Sequence, residues 1–371
     1  MDQPHPLEPL PPFFTVSRKE QANVMQALRK PLSGYLGGVP KGGYFVEKLA
    51  EEWAGTFKVK HAVPCNSATS GLLAACMAIG VGPGDDVWVS AMGMSATAAC
   101  AKVLGANIVF CDIETDRYSI NPKSFGPTRP KAIIVTNLFG HPAYLSSIRS
   151  WCSSNDVWMI EDNAQSPFAT EDGHYAGTVG DIGVFSLNVH KHIQSGEGGI
   201  IVTNDAALAS RLRGAINHGE LGDSGQIGLN LRLTEVSAAI ACAQLGKSEH
   251  IMRTRLGLAR ELTRMFSGSD DILPPMAAKG CSHVYYLWPA LVTAGKRQRF
   301  LRKLWDCNFP MRKGYSPVLN RVFDAGYACP VAELLEDHAL ITFEVCSYNP
   351  DLWQRRKMHT IAQWAMETID R

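Results

Sequence analysis

Between His61 and Asp205, short apolar runs alternate with longer stretches of helical character. The runs are His61–Cys65, Val87–Val89, Ile108–Phe110, Ala132–Val135, Val157–Ile160, Ile182–Leu187 and Gly199–Thr203. Several are apolar at consecutive positions, the pattern of strands covered on both faces. Strands separated by helical segments predict an α/β layered sheet with crossover helices. Upstream, Ser17 to Glu20 reads as a capping box, and Val24, Met25 and Leu28 follow at helical spacing until Pro31. A second helix, about Tyr44 to Thr56, sets Phe45, Leu49 and Trp53 on one face, after a Gly- and Pro-rich loop over 32–43. Ala207–Asn217 and Thr234–Leu245 predict helices on either side of a Gly-rich loop, Gly219–Asn230. Past about His250 come a long basic helix, Ile251–Phe266, and then shorter strands and loops with several prolines. The expected division is a large domain over 1–248, with an N-terminal helical segment at 15–57, and a smaller α+β domain over 249–371.

The 371 residues suit two such domains. Lys plus Arg number 36 against 35 for Asp plus Glu, and no basic block interrupts the balance. That argues against a nucleic-acid or anionic-membrane partner. No apolar run approaches the roughly 20 residues of a membrane span. Met1 to Pro12 lacks the basic and apolar regions of a signal peptide. Ten cysteines are scattered without a Cys-x-x-Cys pair, which fits reduced thiols in the cytoplasm.

In open α/β sheets ligands bind at the carboxyl ends of strands, so the residues after each strand matter most. After Cys65 come Asn66-Ser67-Ala68-Thr69-Ser70-Gly71 and an apolar helix. Small hydroxyl residues at a strand-to-helix turn offer backbone N–H groups, hydroxyls and a positive dipole end, which suits a phosphate. A plain helix cap would look the same. After Ile160 comes Glu161-Asp162-Asn163-Ala164-Gln165. A carboxylate at the end of a buried strand is costly unless a cation meets it; a helix cap is the alternative. After Phe185 comes Ser186-Leu-Asn-Val-His190-Lys191-His192, then Gly196-Glu197-Gly198-Gly199. A lysine between a strand and a glycine-rich turn can lose its proton by desolvation and act as a Schiff-base nucleophile; a solvated surface lysine is the alternative, and for a lone lysine the commoner one. His190 and His192 have no nearby Asp or Cys ligand set, so packing or hydrogen bonding is expected and no metal. A phosphate turn, a strand-end Asp with Gln three residues on, and Ser186-x-x-x-x-Lys191 together form an arrangement that can hold pyridoxal 5′-phosphate (PLP).

On these residues the chain resembles the sugar aminotransferase branch of fold-type I PLP enzymes, the DegT/StrS group. The resemblance runs through NSATSGL (66–72), GVGPGDDVWVS (80–90), EDNAQS (161–166), GDIGVFSLNVHKHIQSGEGGIIVTND (180–205), GLNLRL (228–233) and CPVAE (329–333). It implies an aspartate-aminotransferase-like large domain with a mixed, mostly parallel sheet. It makes Lys191 the lysine that carries the cofactor and Asp162 the partner of the pyridine nitrogen. Gln165 would meet the ring 3′-oxygen, and Ala68, Thr69, Ser70 and Ser186 would hold the phosphate. Asn230 matches an asparagine that reaches a partner subunit's phosphate, which implies a homodimer. The position that usually stacks an aromatic ring on the cofactor falls on Met94, whose thioether can still pack on a π face for roughly 0.3–1.5 kcal/mol. Residues 36–43 and 340–346 also depart from the pattern and are expected to shape the substrate pocket.

The activity so implied is ping-pong transfer of an amino group, with glutamate as donor, onto a nucleotide-linked keto-deoxysugar. A cyclitol or other non-nucleotide ketone is an alternative acceptor. Dehydration of a keto sugar is another outcome of the same fold, but members with that activity replace the lysine by histidine, whereas His190 and His192 flank Lys191 one position out of register. A regulator that kept the fold without catalysis is the non-enzyme alternative; Lys191, Asp162 and Gln165 together argue against it.

Overall fold

The computed structural model describes residues 3–32, 41–126, 128–220 and 227–369. The expected loops therefore lie partly outside the described residues, at 33–40 and 221–226. The strands are β1 His61–Cys65, β2 Asp86–Ser90, β3 Asn107–Cys111, β4 Ala132–Thr136, β5 Trp158–Asp162, β6 Thr170–Glu171, β7 His174–Tyr175, β8 Ile182–Ser186 and β9 Gly199–Thr203. They continue as β10 Ile272–Leu273, β11 Cys281–Ser282, β12 Trp288–Val292, β13 Met311–Lys313 and β14 Leu340–Phe343. All seven apolar runs form strands, and these seven build one sheet in the order β1-β9-β8-β5-β4-β2-β3. Only β9 runs antiparallel to its neighbours, β1 and β8. The sheet is therefore mixed and mostly parallel, as expected.

The register brings the functional edge together. Thr136 pairs with Asp162 and Asp162 with Val184. Cys65 and Ser186 both pair with Gly199, the first residue of β9. The carboxyl ends of β1, β4, β5 and β8 thus share one edge of the sheet. Gly199 is required there, because a Cβ would stand 2.6–2.7 Å from the backbone of Ser67 and Ala68. Any side chain at 199 would push the following turn off the edge.

Helix α1 covers Arg18–Ala27 and α2 covers Tyr44–Phe57. The capping box at Ser17 and Glu20 is formed, and Phe45, Leu49 and Trp53 are buried on α2. The apolar spacing of α1 misleads about its inner face. Met25 and Leu28 are 55% and 54% exposed, while Glu20 is buried. The inward side is mixed: Ala27 is buried and Val24 packs on the core, while Glu20 accepts from Gln244 at 2.8 Å and pairs with Lys247, and Asn23 donates to Ala239 O at 3.0 Å.

A second core gathers around the four-stranded antiparallel sheet β10-β12-β14-β13. Leu258, Leu262 and Phe266 from the helix Ser248–Phe266, Phe300 and Leu304 from Arg297–Asp306, and Met358 and Ile361 from Leu352–Glu367 fill it. The start of the chain lies with this core rather than with the large sheet. Leu7 is buried in it, and Pro12 bridges to Tyr348. No helix among the described residues is long and apolar enough to cross a membrane.

Candidate active site

A cavity of about 360 Å³ opens at the shared strand edge. Ser67, Ala68, Thr69, Met94, Thr136, Asn137, Asp162, Ala164, Gln165, Ser186, Asn188, His190, Lys191, Glu197 and Tyr286 line it. Three turns that stood apart in the sequence therefore meet.

The first wall is the start of helix α3, Ala68–Ala78. Ser67 caps it by accepting from Ser70 N at 3.1 Å, and Gly71 N donates to Ser67 O at 2.9 Å. Among the described residues the N–H groups of Ala68 and Thr69 take no protein acceptor, so this helix end presents free donors to the cavity. Ser70 falls differently from expectation. Its N–H and hydroxyl are engaged by Ser67, and Ser67 rather than Ser70 lines the cavity.

Asp162 stands on the floor, 5% exposed. Thr97 Oγ1, in α4 (Ala96–Lys102), donates to its Oδ2 at 2.8 Å, and Ala164 N donates to its Oδ1 at 3.1 Å. Among the described residues it makes no ion pair. Burial pushes its carboxyl up, against the two hydrogen bonds and the charge of Lys191. Its neighbour Glu161, fully buried, is met by donors instead of a cation: Gly177 N at 2.6 Å, Val179 N and Gly180 N at 2.7 Å, and Asn137 Nδ2 at 3.0 Å. Glu161 therefore organises the loop before β8 and does not face the cavity.

Lys191 sits in the loop between β8 and β9, 8% exposed. Burial lowers its pKa to about 8, with Asp162 pulling the other way. Its Nζ lies 4.2 Å from the ring centroid of Tyr286. His192 points away, fully buried, with Nε2 against Val284 O at 3.1 Å, and burial holds it well below the ordinary imidazole range. Beneath the loop, the buried Arg255 donates to Lys191 O at 3.3 Å. Gln165 is shared with the wall: Oε1 accepts from Phe139 N at 2.8 Å and Nε2 donates to Tyr315 OH at 2.7 Å. Met94 lines the mouth, 58% exposed. Asn230 is exposed, paired by a β-bridge to Asn217, and outside the lining of its own chain's cavity.

PLP fits these residues. The free N–H groups at α3, with Ser186, would take a phosphate. The unpaired Asp162 carboxylate would take a protonated ring nitrogen. Lys191, largely stripped of water, would take the aldehyde carbon. Thr97, Tyr286, Asn188 and Glu197 escaped the sequence reading. Thr97 follows no turn signal, and Tyr286 comes from an aromatic run of the second core's side of the chain.

A mixed sheet of this order, with a buried lysine opposite a strand-end carboxylate, defines a fold-type I PLP enzyme. The aminotransferase from Psychrobacter cryohalolentis has the same fold, with a TM-score of 0.87 at 23% identity over 99% of this chain and 100% of its own. The model of the DegT/DnrJ/EryC1/StrS aminotransferase family matches residues 19–340, and the chain belongs to that family. It is a PLP-dependent aminotransferase. The L-glutamine:2-deoxy-scyllo-inosose aminotransferase of Streptomyces kanamyceticus is 30% identical over 349 residues, 87% of this chain and 80% of that one. The GDP-perosamine synthase of Escherichia coli O157:H7 is 29% identical over 287 residues, 74% of this chain and 78% of that one.

Proposed function

We propose that this enzyme moves an amino group from L-glutamate onto a nucleotide-linked keto-deoxysugar, working as a cytoplasmic homodimer. The observation that carries the reading is the buried Lys191 amine facing the Asp162 carboxylate across one cavity. When bound, PLP supplies an electron-accepting ring that stabilises negative charge on a carbon losing its proton. In this reading Asp162 holds a proton on the ring nitrogen, steadied by Thr97 and Ala164. Lys191 Nζ, with its pKa lowered to about 8, exchanges between amine and ammonium near neutral pH and moves the proton. Ala68, Thr69, Ser70 and Ser186 anchor the phosphate end, Ser70 by holding the cap of α3, and Gln165 and Met94 flank the ring.

The large PLP-binding domain is residues 1–248, apart from the chain's start, which packs with the second core, and the smaller domain, 249–371, adds Tyr286 to the cavity. Asn230 serves the partner's cavity. In support, it is absent from its own cavity, and the apolar side chains of Phe14, Met25 and Leu28 are exposed near α1. All ten cysteines are free thiols, in keeping with a reducing compartment.

A cyclitol ketone is the second reading, favoured by the long match to the scyllo-inosose enzyme. The test is a panel of nucleotide-linked keto sugars and free cyclitol ketones, with glutamate or glutamine as donor, read by amine formation. The yellow holoenzyme should bleach with donor and regain colour with the right acceptor. Bleaching with no acceptor from either class would overturn both assignments, and a failure to bleach with any amino acid would overturn the transaminase reading.

A further inference from the structure

Tyr286 reaches the cavity from a distant part of the chain. Its backbone is pinned on both sides: Val284 N donates to Gly140 O at 2.7 Å, and Leu287 N donates to Phe139 O at 3.3 Å. Gly140, at φ 102°, permits this approach, because a Cβ there would stand 2.5 Å from Tyr285 N and 2.7 Å from Tyr286 N. The loop after β4 therefore fixes the ring over Lys191, 4.2 Å from centroid to Nζ. Among the described residues the Tyr286 hydroxyl makes no hydrogen bond. Burial pushes the phenol up to about 12, so the ring stays neutral and offers Lys191 its electron-rich face. Lys191 has little water to solvate an ammonium, and a cation–π contact is strongest where water is excluded.

We propose that Tyr286 is a positioning residue for the catalytic amine: its ring face holds Lys191 Nζ whenever that nitrogen is free of cofactor and carries a proton. This rests on the reading of Lys191 as the proton carrier. Nζ takes up one proton as a neutral amine, becomes the ammonium against the ring, and returns to the amine on giving the same proton back. The contact opposes the desolvation that pushes the proton off. It also keeps the loaded amine on the cavity floor. The hydroxyl has no part in this.

The other titratable groups around this amine are Asp162, His190 and Glu197 in the cavity lining, Arg255 on the Lys191 carbonyl, and the buried His192 next in the chain. A series confined to position 286 leaves all of them in place. The variants are Tyr286→Phe, Tyr286→Leu and replacement of Tyr286 by a ring-fluorinated phenylalanine, which keeps the volume and drains the ring face. In the cofactor-free protein, the pH dependence of Lys191 acylation, resolved by mass spectrometry, reports the proton affinity of Nζ. Tyr286→Phe should match the parent, and the fluorinated ring should titrate roughly half to one pH unit lower. In the holoenzyme, Tyr286→Leu should lower kcat with little change in the donor KM, and Tyr286→Phe should restore it. A fluorinated ring that titrates with the parent would overturn the proposal. So would a Tyr286→Phe variant shifted as far as the fluorinated one, because the hydroxyl would then carry the effect. Turnover by Lys191→Ala would instead overturn the underlying reading, so the two failures are distinct.

Discussion

Thr97 Oγ1 donates to Asp162 Oδ2 at 2.8 Å, tying the first turn of α4 to the end of β5. Thr97 is fully buried, so no water can replace it. With Ala164 N on the other oxygen, the carboxylate is aimed into the cavity, and no cation among the described residues pairs with it. A hydrogen bond to a charged group contributes roughly 1.5–3 kcal/mol.

Thr97→Val keeps the shape and removes the donor. It should lower kcat by roughly tenfold to a hundredfold, on the same energy scale, and shift the pH dependence of the cofactor absorbance. Asp162→Ala should lose far more than Gln165→Ala, since the carboxylate sets the charge on the ring and the amide mainly braces Phe139 and Tyr315. Equal, small losses at Asp162 and Gln165 would reduce Asp162 to a turn residue.

Lys191→Ala should abolish turnover and the absorbance that depends on the lysine's link to the cofactor, while leaving the fold and the phosphate contacts intact. Lys191→Met in the cofactor-free protein makes a sharper point. The lysine's pKa falls from 10.5 to about 8 on folding, so the unfolded chain binds more protons between those values. Stability gained from this group therefore rises with pH across that window. Near neutral pH the buried ammonium costs up to about 3 kcal/mol, and Lys191→Met should melt higher than the parent by a corresponding margin. The gap should close as the pH climbs past 10; a gap that ignores pH would mean the amine is not desolvated.

What the sequence displays and what it hides follow from range. The seven strands were legible because burial on both faces leaves unbroken apolar runs, and Lys191, Asp162 and Thr69 because each lies within four residues of the end of such a run. Thr97 and Tyr286 were not legible, since each joins the site only through packing: Thr97 supports Asp162 from the seat of α4, and Tyr286 enters the cavity by the docking of its segment on Gly140. The apolar spacing of α1 does not disclose the place of Glu20 on its inner face, because Glu20 finds Lys247 and Gln244 there, partners far along the chain. Local periodicity carries no record of them.

Glu161 illustrates the same limit and yields a stability test. It accepts three backbone N–H bonds from 177–180 and one from Asn137. Glu161→Ala strands these donors in a dry interior, at roughly 1–3 kcal/mol each. The variant should lose at least about 3 kcal/mol in denaturant unfolding, and Lys191 should become more reactive as the loop before β8 loosens. A loss below about 1 kcal/mol would mean that water enters and satisfies the loop.

Asn230 should act in the partner's cavity, and mixing two inactive chains decides it. The motive is placement: Asn230 is exposed, bridged to Asn217, and absent from the lining around its own Lys191. In an isologous dimer each site would join Lys191 of one chain to Asn230 of the other. One parent carries Lys191→Ala, and the second carries Asn230→Asp, which sets a like charge against the phosphate. In the hybrid, the Asn230→Asp chain supplies an intact Lys191 and the Lys191→Ala chain an intact Asn230, so one site is whole. The opposite site holds both lesions. After subunit exchange, activity should return to at most about one quarter of the parent, because random pairing makes half the dimers hybrid and each hybrid has one working site. If Asn230 served its own chain, every site would keep one lesion and mixing would restore nothing. A fully active monomer would defeat the assignment by a separate route.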